Sequence, residues 1–100
     1  MAMKLTQLQC KEVICVDSGQ RLGFIEDVQI ELPEGRVAAL IVPGPGSLLG
    51  MGSSRHDYCI PFSCVRKIGP DIVLVDIEPD TCRVPRPKMH LGSRKHPGMA

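Results

Sequence analysis

The segment RLGFIEDVQIELPEGRVAALIVPG, residues 21–44, leaves few architectures open. Phe24, Val28, Ile30 and Leu32 fall on one side of a period-two pattern. Ile25, Asp27, Gln29 and Glu31 fall on the other, with Glu26 as the exception on the apolar side. Such alternation is the mark of a half-buried β-strand. Pro33-Glu34-Gly35 then supplies a short hairpin connection, and Val37 to Val42 is apolar throughout. A short apolar run bounded by turn residues is expected to be a strand buried on both faces.

The rest of the chain repeats the theme. Leu5 and Leu8, three apart, suit a short turn beginning at Thr6 that anchors the N-terminus. EVICV, residues 12–16, is rich in β-branched types and strand-like. Asp17-Ser18-Gly19-Gln20 reads as a turn, with Gly free to take positive φ. Residues 43–56 hold too many Gly and Pro for regular structure. DYCIPF, residues 57–62, alternates again, and Pro61 places it at a sheet edge or at the end of a strand. Phe62, Val65 and Ile68 follow at spacing three, which predicts one helical turn stopping at Gly69-Pro70. DIVLVDI, residues 71–77, is the last expected strand. Short strands at regular spacing with turn signals between them predict a small barrel or sandwich.

Composition narrows function more than fold. The chain has 100 residues, one domain's worth. Its aromatic residues are Phe24, Tyr58 and Phe62, with no Trp, too few for the stacking platforms that hold single-stranded nucleic acid. Net charge is +1, so no global attraction to nucleic acid or membrane is expected. The distribution is uneven: residues 1–77 carry seven Lys/Arg against nine Asp/Glu, and residues 78–100 carry five against two. No apolar run suits a signal peptide or a membrane span. The expectation is therefore a soluble, cytoplasmic protein whose five cysteines are reduced thiols rather than a disulfide framework.

Several stretches, taken together and in order, resemble a known family. These are Arg21-Leu22-Gly23, the strand exit Ile41-Val42-Pro43-Gly44, Ile60-Pro61-Phe62, and Lys67-Ile68-Gly69 leading into DIVLVDI. The chain is similar over roughly residues 3–77 to the PRC-barrel domain, in particular to its stand-alone sporulation-associated YlmC/YmxH group. The resemblance implies an all-β fold: a small PRC-type β-barrel of about five to six strands with one short helical turn. The chain divides accordingly into a barrel domain, 1–77, and a basic, proline-containing and flexible tail, 78–100, about which the resemblance says nothing. Relatives include the cytoplasmic domain of the photosynthetic reaction centre H subunit and the C-terminal part of the ribosome maturation factor RimM. In these the barrel docks on another protein, so the resemblance implies a non-enzymatic adaptor with no catalytic residues and no cofactor.

Four features bear on chemistry. Cys10 and Cys15, and Cys59 and Cys64, form two C-x₄-C pairs. With His56, His90 and His96 as further donors they make a zinc site countable, but strong zinc patterns use closer pairs. The competing reading is that the cysteines are small buried hydrophobes. Gly44, Gly46, Gly50 and Gly52 lack the Lys and Ser/Thr of a phosphate loop, and Pro43 and Pro45 remove donors. Ser54, His56 and Asp57 contain triad residue types, yet near neighbours at a loop–strand junction do not imply a triad. Leu48, Leu49 and Met51 lie between glycines; they are expected either to fold down as a plug or to form a contact patch. The leading expectation is a protein partner, a second copy of the chain forming a homodimer through that loop. The alternatives are a metal- or redox-responsive cysteine module and, by analogy with RimM, an RNA- or ribosome-associated accessory. Glu26 and Asp76 are expected to pair with Arg21 or Arg36.

Overall fold

A computed structural model of the chain describes residues 2–44 and 56–85. A single helical turn, α1 (Leu5–Leu8), precedes eight short strands: β1 (Glu12–Cys15), β2 (Arg21–Phe24), β3 (Asp27–Glu31), β4 (Arg36–Pro43), β5 (His56–Pro61), β6 (Val65–Ile68), β7 (Ile72–Val75) and β8 (Arg83–Pro85). They form two four-stranded sheets, ordered β2-β1-β7-β6 and β3-β4-β5-β8. The all-β expectation holds, with more and shorter strands than the sequence suggests.

Both sheets contribute to one core. Val13, Leu22, Val73 and Val75 come from the first sheet, and Leu40, Val42, Tyr58 and Ile60 from the second. Ile25, between β2 and β3, completes it. Burying each large aliphatic side chain contributes about 1.5–3 kcal/mol. Leu8 of α1 packs against this core from the side. The turn starts one residue earlier than expected: Lys4 is its N-cap, and Gln7 Oε1 accepts the Lys4 backbone N–H at 2.7 Å.

The 21–32 segment corrects the simple alternation. Phe24, Ile30 and Leu32, expected inside, are exposed, whereas Ile25 is 3% exposed. Two breaks explain the inversion. The chain leaves the first sheet after Phe24 and joins the second at Asp27. A register shift between Gln29 and Ile30 then turns the remaining side chains over. β4 is not buried evenly on both faces either: burial is complete at Leu40 and Val42 and partial at Ile41.

The expected helical turn over Phe62–Ile68 is a 3₁₀ turn, Phe62–Cys64, followed directly by β6. Val65 and Ile68 share a spacing of three, but they face β7, opposite Val75 and Val73. The register shift between Val65 and Lys67 mimics a helical period. Pro61 does end β5, which lies between β4 and β8 rather than at an edge. Beyond residue 77 the chain continues in a 3₁₀ turn, Pro79–Cys82, and then β8, which pairs with β5. Val84, expected with Met89 and Leu91 to bring the tail against the body, sits there opposite Asp57; Met89 and Leu91 lie outside the described residues.

The family-like motifs now have local reasons. Gly23 has φ +119°, accessible to glycine alone without strain. It sits where the β1–β2 ladder shifts register. Gly44 donates its N–H to His56 O at 2.9 Å, and a Cβ there would stand 2.6 Å from that same oxygen. Ile68-Gly69 leads into the β6–β7 turn, where Gly69 N–H donates to Ile72 O. Lys11 fastens this turn to β1. It is 8% exposed, and its Nζ donates to Gly69 O and Pro70 O, both at 2.7 Å.

Asp76 is paired as expected, but with Arg66, at 2.6 Å, and Arg21 has Glu12 as its partner, at 2.9 Å. Each carboxylate raises its partner guanidinium's pKa, through the hydrogen bond first and charge second. Both arginines are exposed, where such pairs add little stability.

Candidate functional site

The chemistry-bearing residues are spread over both sheets and the turns between them. Cys15, on β1, is 1% exposed, and its Sγ donates to Ile77 O at 3.2 Å. Cys59, on β5, is half-buried and stands 3.8 Å from Gln29 Oε1. Cys64 ends the 3₁₀ turn before β6, and its carbonyl accepts the Asp76 N–H at 2.9 Å. Cys10 is exposed just after α1. The four cysteines of the two C-x₄-C pairs are therefore not gathered around one point. Among the described residues no group of three or more His, Cys, Asp or Glu could hold a metal ion. The reason is geometric: five steps along an extended strand and a tight turn carry the second thiol away from the first.

Cys82 was not legible as a site residue, because the sequence around it lacks any period. Burial pushes its thiol pKa up, the Thr81 hydrogen bond opposes this, and the charges of Cys64, Cys59 and Cys15 push it further up. Cys82 thus lies within electrostatic reach of three other thiols. A groove of about 170 Å³ is lined by Cys15, Asp17, Ser18, Gln20, Glu78 and Asp80, among others. That is below the roughly 300–1,000 Å³ of small-molecule pockets. The Asp17–Gln20 turn, present as expected, contributes to the lining, with Gly19 at φ +73° and Ser18 Oγ accepting the Gln20 N–H.

Leu48, Leu49 and Met51 lie outside the described residues, as do Ser54, His90 and His96. His56 and Asp57 are consecutive on β5, and Asp57 is buried. The described surface carries large apolar side chains of its own. Leu32 at the β3–β4 turn is 79% exposed, and Phe24, Ile30, Phe62 and Val84 are also exposed. Tyr58, one of three aromatics, is in the core. No helix among the described residues is long and apolar enough to cross a membrane.

Two short-stranded sheets sharing one core, with the first strand paired in parallel to the seventh, define a small β-barrel module. The family model of the PRC-barrel domain matches residues 1–81. The chain belongs to the PRC-barrel family. It is 34% identical over 73 residues to the "Probable sporulation protein YlmC" of Bacillus subtilis, covering 73% of this chain and 90% of that one. It is 30% identical over 77 residues to YmxH of the same organism, covering 75% and 89%. An uncharacterised protein of Clostridium acetobutylicum is 33% identical over 72 residues, covering 72% and 82%.

Proposed function

We propose that the chain is a non-enzymatic protein-interaction module of the sporulation programme that self-associates in the cytoplasm. The observation that carries this reading is the apolar surface left uncovered at the β3–β4 hairpin. Ile30 and Leu32 are both large and exposed there, and exposed apolar groups at one end of a sheet mark contact surfaces. Leu48, Leu49 and Met51, which follow β4 in sequence and lie outside the described residues, are the second part of the proposed contact. The sporulation role rests on the name of the YlmC relative. The RNA-associated alternative is weaker, since burial of Tyr58 leaves only Phe24 and Phe62 exposed for stacking.

Light scattering across a concentration series tests the proposal. The protein should reach the mass of a dimer, and Leu49→Asp or Leu32→Asp should return it to a monomer. A wild-type chain that stays monomeric at every concentration would end the self-association claim.

A further inference from the structure

Cys82 closes the 3₁₀ turn Pro79–Cys82 and is followed at once by β8. The β5–β8 ladder pairs His56 with Pro85, Asp57 with Val84 and Tyr58 with Arg83. In an antiparallel ladder one step forward on one strand is one step back on the other. Continued one step past the last pair, that register sets Cys82, the last residue of the 3₁₀ turn, against Cys59. Facing Cα atoms in such ladders are about 4.5–5.5 Å apart. A disulfide bridges Cα atoms about 4.4–6.8 Å apart.

Both thiols are free and half-buried, so a small oxidant can reach them. The contact of Cys59 Sγ with Gln29 Oε1, at 3.8 Å, is long and readily given up. Cys82 has other thiols within electrostatic reach, but there is no group of three metal donors among the described residues. That favours thiol–thiol chemistry over metal binding.

We propose that Cys59 and Cys82 are a redox-responsive pair that closes to a disulfide across the β5–β8 seam. With hydrogen peroxide as oxidant, the Cys59 thiolate attacks one peroxide oxygen. The O–O bond breaks, and the second oxygen leaves as water after taking a proton. The resulting sulfenic acid is attacked at sulfur by Cys82; an S–S bond forms, the S–O bond breaks, and a second water leaves. Two thiols and one peroxide thus become one disulfide and two waters. A dithiol reductant reverses the bond by exchange. β8 is three residues long and exposed throughout, so the bond would fix it at its root.

The full chain is treated with one equivalent of hydrogen peroxide at low protein concentration. Intact mass and non-reducing peptide mapping then follow. The expected result is a monomer lighter by two hydrogens, with one cross-link joining Cys59 to Cys82. The cross-link disappears in Cys59→Ser and Cys82→Ser and persists in Cys10→Ser. Amide exchange at Val84 should slow on oxidation and recover with dithiol. A cross-link from Cys82 to Cys64 or Cys15, dimers linked only through Cys10, or oxygen addition without loss of hydrogen would each overturn the assignment. The wild-type map decides the matter even if a serine variant fails to fold.

Discussion

Replacing Lys11 by Met keeps the buried aliphatic stem but removes the ammonium that holds the β6–β7 turn. Nζ makes two hydrogen bonds of 2.7 Å, to Gly69 O and Pro70 O. A hydrogen bond from a charged donor contributes about 1.5–3 kcal/mol net, so two set an upper range of roughly 3–6 kcal/mol. Two effects reduce this. Pro70 is exposed and Gly69 half-buried, so water can replace part of what is lost. The folded state also no longer desolvates an ammonium. A net loss of about 2–3 kcal/mol is expected. At about 4–8 °C per kcal/mol for a domain of this size, the melting temperature should fall by roughly 10–20 °C. Urea unfolding of wild type and Lys11→Met, with the slope compared to check two-state behaviour, measures it. Amide exchange at Ile72 and Gly69 should rise more than at Leu40, since the clamp acts locally. A Lys11→Met protein as stable as wild type would refute the reasoning. It would mean that the cost of burying the charge cancels both bonds, as it does in many buried ion pairs.

Gly44→Ala should destabilise by about 1–3 kcal/mol, read from the urea midpoint, because the new methyl meets backbone rather than a movable side chain. Under reducing conditions, stability should also fall with rising pH through Cys82. Its thiol pKa is raised above the ordinary 9.0, so its stabilising effect is complete below that value and is lost as pH climbs through the folded one. Thermal unfolding between neutral and alkaline pH should therefore decline less steeply in Cys82→Ser than in wild type.

What the sequence made legible follows from how local each cause is. The Asp17–Gln20 turn and the Pro33–Gly35 connection were readable because Gly19 and Gly35 answer to their own φ. β5 was readable because Tyr58 and Ile60 alternate cleanly into the core. Ile30 and Leu32 were misread because a register shift and a change of sheet reset the alternation, and neither leaves a local residue signal. β8 escaped notice because its partner lies 25 or more residues away in sequence, at His56 to Tyr58. The Cys59–Cys82 facing depends on that same pairing. By contrast, the C-x₄-C spacing was plain in the sequence but pointed to an arrangement that the backbone does not make.

The parallel ladder of β1 and β7 has a consequence for how this protein comes into being. Glu12 pairs with Ile72 and Cys15 with Val75, so a central seam of the first sheet joins segments sixty residues apart. Closing so distant a contact is slow, because chain entropy is lost before the contact returns anything. During synthesis β1 emerges early and waits for nearly the whole barrel to leave the ribosome. Until then Val13 and Cys15, completely or almost completely buried in the finished fold, have no seventh strand beside them. The nascent chain is thus most exposed to misassociation at its beginning, and chain termination before Ile72 would leave the first sheet without one of its two central strands.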